Sequence, residues 1–120
     1  MNKLLVILIL VLNIEANDYK SLLFSGNCVT CHFENESISA PSVVELQKRY
    51  KDAFPQKDDF IKYMSTWVEH PKAETSIMSD AIKKYELMPE LGYDIDTLRS
   101  IAEYIYDTDF KTTLTHPKTR

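Results

Sequence analysis

Cys28-Val29-Thr30-Cys31-His32 is the stretch on which the reading of this chain turns. Both cysteines of the 120-residue sequence lie in it. Two intervening residues hold two thiols a fixed short distance apart, and the next residue projects beyond them. That is the C-x-x-C-H spacing of c-type haem attachment. The thiols of Cys28 and Cys31 would add across the two vinyl groups of one haem, and the imidazole of His32 would become the proximal iron ligand. Three other uses of these residues compete. A thioredoxin-like dithiol needs βαβ units, and the sequence offers no convincing strand. A zinc site needs two more soft ligands, and His70 and His116 form no second pair. A disulfide across so short a gap closes little loop and stabilises little.

The rest of the sequence reads as helices. Two glycines and five prolines are too few for the tight turns of an all-β chain. Hydrophobic residues at 44% and charged residues at 27% describe one globular domain rather than a disordered chain. A formal net charge of −4 argues against a nucleic-acid binder, which usually carries a basic face. Asp18 is expected to cap a short helix over Tyr19–Ser25, with Leu22 and Leu23 inward. Pro41-Ser42 opens a second helix to about Lys51, with Val43, Leu46 and Tyr50 on one face. Gln56–Glu69 is a third, carrying Phe60, Met64 and Trp67 on one face, and His70-Pro71 ends it. A short fourth helix is expected over Ser79–Leu87, burying Ile82 and Tyr85. Asp94 caps a last helix, Ile95 to about Tyr106, whose stripe of Leu98, Ile101, Ala102 and Ile105 is the strongest helical period in the chain.

Ahead of these lies an address. Met1-Asn2-Lys3 carries one positive charge, Leu4 to Leu12 is an unbroken run of nine apolar residues, and Ala16 is a small residue suited to cleavage. This is the order of a secretory signal peptide. A membrane anchor would need roughly 20 apolar residues. Cleavage after Ala16 removes Lys3 and Glu15, one charge of each sign, so the mature chain keeps a net charge of −4. The expected organisation is a signal peptide over 1–16, one domain over 17–110 and a polar tail over 111–120.

From Asp18 to about Asp109 the mature chain resembles a small single-haem cytochrome c of class I. The resemblance rests on the haem motif and on four further places. Phe24 stands four residues before Cys28, where the family has an aromatic of its first helix. Ala40-Pro41-Ser42 and Lys48-Arg49-Tyr50-Lys51 are similar to the segment after the haem motif. Met88-Pro89 resembles the sixth-ligand motif. Tyr104, in Ala102-Glu103-Tyr104-Ile105, matches the aromatic of the final helix. One position departs from the pattern: Lys20 stands where the family usually has the glycine that lets first and last helices cross closely. The resemblance implies an all-α bundle of helices around one covalent haem, attached outside the cytoplasm, in the periplasm of a bacterium. It also implies that the carbonyl of Pro41 accepts the free ring N–H of His32 and fixes its orientation; a place in the first turn of a helix is the plainer role for that proline.

The sixth iron ligand is a separate question. Met88 follows His32 by 56 positions, a spacing usual for the resemblance, and Pro89 forces an extended turn that can aim the thioether inward. Met78, Met64, His70 and His116 are the alternatives. Trp67, Tyr50, Tyr63 and Tyr85 are candidate donors to haem propionates, or plain core aromatics. With both axial positions filled by protein, the group only gains and loses one electron. The expected function is therefore periplasmic electron transfer, not catalysis on a substrate. Partners would be redox proteins docking transiently at the haem edge, with Lys48, Arg49, Lys51, Lys83 and Lys84 as candidate steering charges. A haem-based sensor with a weak sixth ligand, and a dithiol oxidoreductase, are the alternative functions.

Overall fold

A computed structural model describes residues 2–111, without the side chains at positions 4 and 9–17. The described residues are all-helical: α1 (Lys3–Asn27), α2 (Val43–Ala53), α3 (Lys57–Glu69), a 3-10 turn (Ala73–Thr75), α4 (Ser79–Tyr85) and α5 (Ile95–Asp107). The chain beyond Lys111, with His116 and most of the expected tail, lies outside the described residues.

Helix α5 organises the packing. Asp94 accepts from the Thr97 N–H at 2.9 Å and from the Thr97 hydroxyl at 2.7 Å, which starts the helix where the sequence placed it. Leu98, Ile101, Ala102 and Ile105 are all buried, as their spacing requires. Against this stripe pack α1, α2 and α3. At the far end, Gln47 of α2 donates to the carbonyls of Ile105 at 2.7 Å and Thr108 at 2.6 Å, satisfying acceptors that the helix itself leaves open.

Three expectations for the helices are corrected. The first helix is one continuous element from Lys3, so Asp18 is an interior residue and not a cap. No proline interrupts Lys3–Asn27 and the one glycine, Gly26, falls in the last turn, so nothing in the sequence stops the helix earlier. Leu22 is 72% exposed. Phe24 is fully buried and fixes the phase of the helix, turning Leu22 outward. In α4, Ile82 and Tyr85 are half-buried rather than buried; the residue that enters the core is Met78, just before the helix.

The α1–α5 crossing explains how a lysine is accommodated at position 20. The Phe24 ring packs on Tyr104 with centroids 5.1 Å apart and on Phe110 at 5.5 Å. Lys20, one turn before Phe24, extends to the edge of the crossing, where its ammonium pairs with the Glu103 carboxylate. Glu103 also meets Lys57 at 3.1 Å, and Lys57 meets Asp107 at 2.8 Å, so the network joins α1, α3 and α5.

Hydrogen bonds from Lys20 and then Lys57 hold the Glu103 carboxyl below its ordinary range. A carboxyl depressed in the folded state contributes stability above its unfolded pKa of about 4.3, and that contribution is lost as pH falls through the folded value. Glu103→Gln should therefore lower stability at about pH 7 by up to ~1 kcal/mol, and the deficit should close near pH 3. Urea unfolding at the two pH values measures it; an equal deficit at both would remove this network as the cause.

Candidate functional site

The C-x-x-C-H segment is wound as a turn on the end of α1. The Cys28 N–H donates to the Phe24 carbonyl at 3.0 Å, and the His32 N–H donates to the Cys28 carbonyl at 2.9 Å. The turn sets Cys28 against the core and leaves Cys31 exposed, and both thiols are free. Burial pushes the Cys28 thiol up to about 11. A thiol held protonated is a poor nucleophile at neutral pH, which weighs against dithiol redox chemistry.

His32 is oriented by the loop that follows it. Its Nδ1 lies 2.7 Å from the Pro41 carbonyl oxygen. A carbonyl oxygen only accepts, so Nδ1 carries the proton and Nε2 keeps its lone pair. The loop is closed on itself to present that carbonyl. The N–H groups of Val43 and Val44 donate to the carbonyls of Phe33 at 2.9 Å and Glu34 at 3.1 Å. Ser42 caps α2 by accepting from the Glu45 N–H at 3.2 Å. The Ser42 N–H donates to the Ser37 hydroxyl oxygen at 2.9 Å, and Ser37 donates to the Glu45 carboxylate at 3.2 Å. Ser42 followed by Glu45 is a sequence signature of a helix start that marks this arrangement in advance.

Cys28, Cys31, His32 and Pro41 line an apolar cavity of about 350 Å³, and the buried stripe of α5 forms part of its wall. Met64, Met78 and Met88 line the same cavity. The structure thus brings the motif together with all three candidate methionines. Met64 and Met78 are buried; Met88 is half-buried on the irregular segment between α4 and α5. His70 is not in the wall: it is exposed, with Nδ1 3.2 Å from the Glu90 carboxylate.

The aromatic candidates separate as clearly. Trp67 donates its indole N–H to the Lys72 carbonyl at 3.0 Å, and the Tyr63 hydroxyl donates to the Thr75 carbonyl at 2.5 Å, so both fasten the 3-10 turn. Tyr85 lines the cavity half-buried, with the Lys84 ammonium 5.1 Å from its ring centre. Tyr50 differs. It lines the cavity, is buried among Phe54, Phe60 and Tyr63, and its hydroxyl has no hydrogen-bond partner among the described residues. Burial, and then Tyr63, raise its phenol, so it stays protonated and can donate into the cavity.

The basic residues of α2 are engaged. Lys48 pairs with Asp52 at 2.6 Å, Arg49 grips Asp80 through two hydrogen bonds of 2.8 Å, and the Lys51 ammonium sits 4.7 Å from the Tyr106 ring centre. Lys83 and Lys84 are exposed on α4, beside the cavity residues Ile82 and Tyr85. Two contributors escaped the sequence reading: Asn27 and Tyr93 line the cavity and hydrogen-bond each other at 2.7 Å across 66 positions.

No protein-family model and no solved structure matches this chain. It is similar to an uncharacterized protein of Aquifex aeolicus (strain VF5), 24% identical over 88% of this chain and 87% of that protein.

The donor set fits a c-type haem: two free thiols separated by two residues, an imidazole whose Nδ1 is engaged by Pro41, thioethers in the wall, and, among the described residues, a phenol without a partner in an apolar cavity. Among the described residues no group of three or more His, Cys, Asp and Glu side chains stands ready for a bare metal ion. In the haem-free chain the two thiols should differ in reactivity. Cys28 at about 11 against an ordinary value of 9.0 leaves about a hundredfold less thiolate at neutral pH. Mass-spectrometric alkylation with iodoacetamide should label Cys31 well before Cys28, and equal rates would show that Cys28 is not shielded.

Proposed function

We propose that this protein is a periplasmic electron carrier holding one covalent c-type haem in a class I cytochrome c-like bundle, with His32 and Met88 as axial ligands. The observation that carries this reading is the hydrogen bond from His32 Nδ1 to the Pro41 carbonyl at 2.7 Å, beside Cys28 and Cys31 on an apolar cavity. It fixes the tautomer and the ring as a proximal ligand requires. When bound, the haem would supply a reversible one-electron couple. The chain's own residues do the rest. Cys28 and Cys31 anchor the group, and Tyr50 offers it a hydrogen bond. The stripe of α5 excludes water, and Met88 offers a neutral thioether that raises the potential relative to a second histidine. A redox partner would approach from the side of exposed Cys31, and the exposed Lys83 and Lys84 of α4 are candidate steering charges. Cleavage after Ala16 would release the mature domain to the periplasm. Among the described residues no helix is long and apolar enough to cross a membrane.

The sensor alternative draws support from the half-buried position of Met88 on an irregular segment. A reduced spectrum that changes under carbon monoxide at neutral pH distinguishes it. Protein made with a cytochrome c maturation system should have the mature chain mass plus one haem, and bare peptide mass would sink the proposal. Met88→Ala should keep the haem, lose the sulfur-to-iron absorbance band of the ferric form and lower the potential. Loss of that band in Met78→Ala, with retention in Met88→Ala, would move the ligand to Met78.

A further inference from the structure

The segment 86–94 that carries Met88 is held in an unusual way. It begins at Glu86, whose φ of 73° and ψ of 172° lie in a region that residues with a side chain rarely adopt. Gly92, at φ 75°, is a second positive-φ position, held by a residue that tolerates it. Residues 87–93 make no backbone–backbone hydrogen bond among the described residues. Side chains hold the segment instead. Glu90 meets His70 at the exposed surface. Tyr93 reaches inward and donates its hydroxyl to the Asn27 side-chain oxygen at 2.7 Å. Asn27 is itself oriented, because its amide nitrogen donates to the Leu23 carbonyl at 2.8 Å.

Asn27 immediately precedes Cys28. The Tyr93 bond therefore ties the Met88 segment directly to the turn that carries the thiols and His32. We propose that Asn27 and Tyr93 are a positioning pair that holds Met88 over the cavity and sets how readily another ligand displaces it. This rests on the proposed haem function. A strained start at Glu86 and an absence of backbone pairing leave a segment that opens unless a buried contact closes it, and the Tyr93–Asn27 bond is the part-buried one.

Tyr93→Phe removes the hydroxyl and keeps the ring. Amide exchange at 87–93 should speed up in this variant. The affinity of the ferric protein for imidazole, which competes with the thioether for iron, should rise roughly three- to tenfold, the effect of one lost hydrogen bond. Asn27→Ala should do the same, and the double variant should exceed Asn27→Ala by little, since both single variants remove the same Tyr93–Asn27 bond. Tyr106→Phe serves as the control, because that hydroxyl donates to the Pro55 carbonyl at 2.9 Å, outside the Met88 segment. It should leave imidazole affinity unmoved. Unchanged exchange in Tyr93→Phe, or faster exchange with unchanged imidazole affinity, overturns the pair. A rise in Tyr106→Phe equal to that in Tyr93→Phe overturns it as well. Exchange is read on the protein as purified, so a chain of bare peptide mass overturns the function while exchange still decides the clamp.

Discussion

The apolar stripe of α5 is the constraint from which the rest of the architecture follows. Leu98, Ile101, Ala102 and Ile105 must be covered, and α1, α2 and α3 cover them while leaving a cavity that all four line. Coverage by α1 brings its C-terminal turn, and so Cys28 and His32, to that cavity. Coverage by α2 brings the start of that helix, and so the Pro41 carbonyl, within 2.7 Å of His32. The orientation of one imidazole is thus a consequence of how three helices pack on a fourth.

Much of this was legible from the residues alone. Helix α5 was readable because a period of 3.6 and an Asp cap reinforce each other. The cysteine motif was readable because its spacing is short and its residue types are rare. The proline beside Met88 did not single it out, because Met64 and Met78 line the same cavity. The pairings that close the structure were not readable, because they join residues far apart in the chain. Lys20 meets Glu103, Tyr93 meets Asn27, and Arg49 meets Asp80. No local pattern announces such a contact. The polar tips of Trp67 and Tyr63 could not be assigned from the sequence either, because the backbone carbonyls that accept from them are brought near by the fold.

Lys20 also shows how a long charged side chain is accommodated at a helix crossing. A glycine at a helix crossing allows close approach by having no side chain. A lysine reaches a workable crossing by extending its stem along the apolar edge and placing its charge at the rim. Glu103 waits there, already half-neutralised by Lys57. The aromatic contact of Phe24 with Tyr104, one turn further on, is kept.

If residues 1–16 are removed as proposed, the continuity of α1 across Ala16 and Asn17 has a consequence for the new terminus. In the full chain, the turn preceding Phe24 lies inside a long helix, and its N–H groups have partners within it. Removal of the leader would strip the carbonyl acceptors from the first turn of the new terminus and leave its N–H groups facing water. Asp18 would then stand at a freshly created positive helix end, and its carboxylate would gain a partner it does not have in the precursor. Processing would convert an ordinary interior residue into a terminal anchor, so the same aspartate would be indifferent to substitution before export and sensitive to it afterwards.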